Sequence, residues 1–232
     1  MNSKKINHIK LTPQIQSRYR DEVDIIDRCI AQMPDYQPSI IFDLGANVGG
    51  MTIELAKKYP SATIYAFEPV HVTYELLKEH ILLNMLSNVI VFNIGLSNIS
   101  QKSVPIGMPS VPEYKTHNYG RATIKYFKGE PVDSIELVKF SDFCNVHNVR
   151  PDFIKMDIEG CEYDVLTDAK NAGILLNDVE VLYVEINNHY NTKKSAQLSK
   201  SLLLEDFTIA AHGSHNKNNK EPLNYVFTKK KN

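Results

Sequence analysis

Acids and amides recur where the apolar runs of this chain end. Asp43 follows Ile40, Ile41 and Phe42, and Glu68 follows Thr63 to Phe67. Asp157 closes the run from Asp152, with Glu159 just beyond it. Glu185, with Asn187 and Asn188, ends the run from Val179. Buried acids without a cationic partner are costly, so acids gathered on one edge call for a cationic ligand or a metal. Lys155 alternates with Asp157 on one strand, so both point to the same face. It is either the structural partner of a neighbouring acid or a desolvated lysine whose lowered pKa lets it take a proton. Asp157, Glu159 and His189, which stands in the loop after the last run, are the other candidate bases. A plain surface histidine is the alternative for His189.

The element that positions the first two acids is the stretch Ser39 to Glu68. An apolar run leads into a turn with Gly45, Gly49 and Gly50, then a helix pattern ended by Pro60, then a second strand closed by Glu68 and Pro69. Strand, glycine turn, helix, strand and acid make one βαβ unit of a nucleotide-binding sheet. The glycines let backbone approach a ligand, and the terminal acid suits two ribose hydroxyls. A dinucleotide fingerprint places a second glycine where Asn47 stands. Asp43 before the turn repels phosphate and attracts an ammonium group. S-adenosylmethionine carries an ammonium, a sulfonium and a ribose but no phosphate, so it suits this turn better than a dinucleotide. A ligand-free domain with a structural glycine turn is the remaining reading.

With 232 residues, 43% hydrophobic and 23% charged, the chain suits one α/β domain with a sizeable core. A formal net charge of −1 argues against nucleic acid as a partner. No apolar run is long enough to span a bilayer, and the N-terminus lacks the apolar core of a secretory signal. Cys29, Cys144 and Cys161 form no Cys-x-x-Cys pair, which points to a reducing cytoplasm.

The predicted order is an amphipathic helix over Pro13 to Met33, capped by Thr12, with Ile15, Tyr19, Val23, Ile26 and Ile30 on one face. Residues 1–38 form an N-terminal helical segment, packing on the sheet edge or capping the pocket. Residues 39–232 form the ligand-binding domain. Its second helix, Val70 to Asn84, is expected to bury Val72, Leu76, Leu77, His80, Leu83 and Met85. A third strand, Asn88 to Ile94, leads to a turn at Gly95–Asn98 in which Ser97 is a weak candidate for reading an adenine edge. Residues 101–128 break the rhythm and form an insertion, read either as a lid over the mouth of the sheet or as a solvated hairpin. Val132 to Phe140 is strand-like, and Ser141 is expected to cap a short helix. The fourth and fifth strands, a helix over Ser195 to Leu204 and a final antiparallel strand pair complete a Rossmann-like sheet.

Four segments resemble one family: FDLGANVGGMT from Phe42, YAFEPV from Tyr65, NIGLSN from Asn93, and above all FIKMDIEGCEYDVL from Phe153. The late VEIN and the short Gly120–Thr123 segment fit too. Together they are similar to the FkbM-type S-adenosylmethionine-dependent methyltransferases. The resemblance implies a class I methyltransferase fold: a seven-stranded, mostly parallel sheet with helices on both faces and an antiparallel final pair. It also implies O-methyl transfer to a hydroxyl of a sugar, glycan or other small metabolite. By the same resemblance Asp43, Gly45 and Asn47 line the methionine part of the cofactor within the Gly45–Gly49 turn. Glu68, beside Pro69, holds the ribose, and Asp157 and Glu159 border the methyl group. Metal-dependent O-methyltransferases of the catechol type suggest a further arrangement, with Asp157, Glu185 and Asn187 around Mg²⁺. A methyltransferase acting on RNA or protein, and a non-catalytic nucleotide-binding module, are the competing functions.

Overall fold

The computed structural model describes residues 11, 13–108, 121–125, 127, 129–186, 193–213 and 224–231. Helix α1 (Pro13–Ile30) is followed by β1 (Ile40–Leu44), α2 (Gly50–Lys58), β2 (Thr63–Phe67), α3 (His71–Leu83) and β3 (Val89–Phe92). Then come β4 (Gly95–Ser97), β5 (Gln101–Ile106), β6 (Asp133–Lys139), α4 (Phe140–Val146), β7 (Phe153–Met156) and α5 (Glu162–Asn171). The chain ends with α6 (Ile174–Asn177), β8 (Val181–Glu185), α7 (Lys193–Asp206), β9 (Phe207–Gly213) and β10 (Asn224–Lys229). Thr12 lies outside the described residues, as do the side chains of residues 13–15.

Seven strands form the main sheet in the order β3-β2-β1-β7-β8-β10-β9. The first five pair in parallel, and β10 runs antiparallel to both β8 and β9. This is the predicted Rossmann-like architecture, and it follows from residue alternation. In β1, Ile41 faces α1 and α2, where it meets Val23, Ile26 and Leu55. Its neighbour Phe42 faces α4, α5 and α7, among Phe143, Val165, Leu166 and Leu203. Both strand faces are therefore apolar, as a doubly covered parallel sheet requires. At the far edge from the acids, Asp152 accepts from the Ser39 and Ile40 amides at 3.0 Å each and from the Tyr36 hydroxyl, which fixes where β1 and β7 begin.

Three local expectations are corrected. The buried face of α3 is Thr73, Leu77 and Ile81, while Leu83 and Met85 are exposed. The helix is turned because Thr73 donates to Glu68 at 2.7 Å and Leu77 packs under Gly49. Ser141 does not cap α4. It lies inside the helix, and its amide donates to Asp168 at 2.8 Å. The Gly95–Asn98 turn is instead mostly strand β4, which pairs in parallel with β6, while β5 pairs antiparallel to β6. This small second sheet buries Val70, Val104, Ile106, Ile135 and Leu137 together. The insertion therefore begins as ordered sheet. Gly107 then bridges Thr123, and residues 109–120 lie outside the described residues.

Candidate active site

Because β2, β1, β7 and β8 run in parallel, their carboxyl ends meet on one edge. A cavity of about 1030 Å³, counting its open mouth, lies there. Glu68, Gly45, Asp157 and Glu185 follow one another along it in the order of the strands. Such an edge is where open α/β sheets bind ligands.

The glycine turn is built for close approach. Gly45 has φ +76°, and a Cβ there would stand 1.9 Å from the Asp157 carbonyl oxygen, so no other residue fits. The Gly45 and Ala46 amides donate to the Phe67 carbonyl at 3.0 Å, and the Asn47 amide donates to Glu68 Oε2 at 2.8 Å. Glu68 Oε1 accepts from the Val70 amide at 3.0 Å and from Thr73. Burial pushes the Glu68 carboxyl up, against the pull of these donors. Oε2 carries a single hydrogen bond among the described residues, so it retains a lone pair for a hydroxyl. Gly49 caps α2 at φ +90° and does not line the cavity. Pro69 does line it, and Asn93 fixes that segment by donating to the Glu68 and Pro69 carbonyls at 2.9 Å each.

Asp43 plays a different part from the one expected. It is fully buried and absent from the cavity lining. Its Oδ2 accepts from Thr52, and its Oδ1 stands 2.9 Å from Lys155 Nζ. The ammonium it holds is that of Lys155. Lys155 also donates to the Gly45 carbonyl at 2.8 Å, so the pair holds the turn open. Burial opposes the lysine charge, but Asp43 and Asp157 outweigh it and hold the group above the ordinary lysine range. A lysine held charged by two acids is placed as the structural partner of Asp43, and the contacts around it favour that reading over a base.

The acids farther along the edge are in the opposite condition. Asp157 Oδ1 is buried without a hydrogen bond among the described residues, and so is Asn47 Oδ1. Burial, with Glu22 and Asp43 adding to it, raises the Asp157 carboxyl against Lys155 and Arg18. Asp157 and then burial push Glu185 up to about 8. Burial and the neighbouring carboxylates raise Glu159 well above its usual range. Glu162 receives the Ile158 and Gly160 amides at 3.3 and 3.1 Å, and burial pushes it up to about 7. It braces the turn that presents Glu159, whose φ of +50° places it in the left-handed region. Thr123 donates to the Glu159 carbonyl at 3.0 Å, which brings the inserted segment onto the same turn.

Two walls bring in residues that were not singled out from the sequence. Helix α1 lines the cavity with Arg18, Tyr19 and Glu22. The Tyr19 ring lies where a Cβ on Gly50 would be, 2.0 Å away, so α1 seats directly on the glycine turn. Glu22 is buried and accepts from Arg18 Nε at 3.0 Å and from the Tyr183 hydroxyl at 2.8 Å. The helix face was legible, but nothing in it indicated which strand ends it would reach. The second wall is apolar: Leu96, Ile106, Ile124, Ile135 and Leu137 from the small sheet and the inserted segment. Gly95 and Leu96 line the cavity, whereas Ser97 is buried beside Asn98 and does not. His189 and Asn187 lie outside the described residues, and no group of three or more candidate ligands is placed to hold a metal among those described.

The fold is shared with a methyltransferase of known structure. The bifunctional kinase-methyltransferase WbdD superposes with a TM-score of 0.54 at 9% identity, over 91% of this chain and 39% of that one. A profile of the methyltransferase FkbM domain matches residues 43–209, more than half of the chain, which therefore belongs to that family. Methyltransferase sdnD of Sordaria araneosa is 32% identical over 66% of this chain and 69% of its own. Methyltransferase 1 of Beauveria bassiana is 27% identical over 75% and 76%. A hexuronic acid methyltransferase, AglP, of Haloferax volcanii is 29% identical over 82% and 77%. No described helix is long and apolar enough to cross a membrane.

Proposed function

We propose that this methyltransferase uses S-adenosylmethionine to methylate a hydroxyl of a sugar or a related small polyol. The observation that carries the reading is the uneven edge of the sheet. Asp157 and Asn47 keep buried oxygens unbonded among the described residues, and Asp157 shares its surroundings with Glu159 and Glu185. Acceptors of this kind suit a ligand that brings positive charge and donors. S-adenosylmethionine has an ammonium and a sulfonium for the acids, a ribose for Glu68, and an adenine for the wall of Leu96, Ile124 and Leu137. A dinucleotide would set phosphates against these carboxylates. When bound, the cofactor supplies an electrophilic methyl on a sulfonium leaving group.

The chain supplies position and proton handling. Gly45 and Lys155 hold the turn open, and Glu68 fixes the ribose end. Holding an acceptor oxygen in line is worth roughly 7–11 kcal/mol. A neutral hydroxyl is a poor nucleophile, and a base adds about 10²–10⁴-fold. Asp157 and Glu185 are suited to that work once a bound cation favours their ionised forms, because both carboxyls are raised above the ordinary range. Glu159 stands beside them. A sugar acceptor is supported by the similarity to the hexuronic acid methyltransferase. The RNA reading is weakened by the acidic site. A bound Mg²⁺ would require Asp157 and Glu185 with Asn187, and chelator dialysis that leaves turnover intact would exclude it. Titration calorimetry with S-adenosylhomocysteine and with NAD tests the cofactor. Binding of NAD alone would sink the reading.

A further inference from the structure

A second cavity of about 660 Å³ lies between α1 and the β9-β10 pair. It shares Arg18, Glu22 and Tyr183 with the main cavity, so the two adjoin at that wall. Asp21, Ile25 and His212 are among the residues lining only the second. The sheet order gives the direction: ribose acid at β2, glycine turn at β1, Asp157 at β7, Glu185 at β8, then β10 and β9. With strands roughly 4.8 Å apart, Glu68 to Glu185 spans about 14 Å and the second cavity begins one strand further on. An acceptor whose hydroxyl lies at Asp157 and Glu185 can extend over Arg18 into that space.

The wall offers both a donor and an acceptor of hydrogen bonds. Glu22 is spent on Arg18 and Tyr183 and so acts as a brace. It fixes the Arg18 guanidinium by Nε alone, and the group also lies 5.7 Å from the Tyr19 ring centre. The outer nitrogens of Arg18, half exposed, make no hydrogen bond among the described residues. Asp21, three residues on along the same helix face, is exposed and lines the same space. A guanidinium that donates and a carboxylate that accepts suit the alternating needs of neighbouring sugar hydroxyls. Ile25 and Val226 give an apolar floor for a ring face.

Resting on the sugar reading above, we infer that this second cavity is an acceptor subsite for a second sugar ring, so that the acceptor is an oligosaccharide or glycoside of at least two rings. Of the residues that line it, those of α1, β9 and β10 lie outside the stretch matched by the family profile, and Tyr183 lies inside it.

The test is transfer of labelled methyl from S-adenosylmethionine to methyl glycosides of hexoses and hexuronic acids, each paired with its disaccharide. The wild-type chain is compared with Ile25→Trp, which fills the floor, and Asp21→Ala, which leaves the fold undisturbed if the larger change does not. The subsite predicts disaccharides favoured at least tenfold in kcat/KM, and that preference cut to threefold or less in either folded variant. Equal use of one and two rings by the wild type, or a preference untouched by both variants, overturns the subsite while the sugar reading stands. Methylation of no sugar in the panel, with cofactor binding intact, overturns both.

Discussion

Asp43 and Asp157 stand at the ends of neighbouring parallel strands, and they have opposite fates. Asp43 is sealed, with a hydrogen bond from Thr52 on one oxygen and, on the other, no hydrogen bond among the described residues but the Lys155 ammonium as an ion pair at 2.9 Å. Asp157, one strand over, keeps an oxygen unbonded among the described residues and stands beside acids raised by its own charge. The protein neutralises the first acid with its own lysine, whereas the second, only partly offset by that lysine, is the one proposed above to meet a ligand. An acid in a binding motif is thus scaffold when the fold supplies its cation, and a ligand group when it does not. The lysine that closes one site also explains why the other is still short of positive charge.

The comparison is broken most severely at Asp157. Asp157→Asn keeps the shape and removes the charge, and kcat is expected to fall about 10²–10⁴-fold in a methyl-transfer assay. Full turnover in this variant would remove Asp157 from the site. Next comes the sealed pair. Lys155→Met leaves Asp43 buried without its cation and should cost roughly 3–5 kcal/mol in urea unfolding. Asp43→Asn in the same chain should restore most of that loss. Gly45→Ala is the third. The strained φ costs about 1–3 kcal/mol, and the collision with the Asp157 carbonyl should abolish cofactor binding, which a thermal-shift assay reads.

A smaller effect sharpens the comparison through pH. Glu185, near 8, and Glu162, near 7, hold protons in the folded chain that the unfolded chain releases near 4.5. A raised folded pKa gives stability that is complete below the unfolded value and is lost as pH climbs through the folded one. The thermal midpoint of the free protein should therefore decline between about pH 5 and pH 8. A bound cation favours the ionised acids, so S-adenosylmethionine should flatten that decline.

How much of this was legible depended on whether the signal was local. The β1 run, the glycine turn and the acid after β2 lie within thirty residues, and the pattern of strand, turn and helix specified them. The same holds for Asp157 and Glu159 at the end of their strand, but the bracing of their turn by Glu162 appeared only in the structure. The partner of Asp43 is 112 residues away, and only strand pairing brings Lys155 to it. Arg18, Tyr19 and Glu22 were visible as part of an amphipathic helix, but their reach to Gly50 and Tyr183 is a matter of packing. Strand β4 is three residues long, too short to show a period, so a strand passed for a turn.

The central claim is that this edge receives a positively charged methyl donor. It is tested most directly by titration calorimetry of S-adenosylmethionine and S-adenosylhomocysteine across pH 6 to 8. The account predicts that the methylated ligand tightens with pH, by up to about tenfold per unit for each proton released. The product, lacking the sulfonium charge, should tighten much less. Identical pH slopes for the two, or no binding of either while a dinucleotide binds, would contradict it.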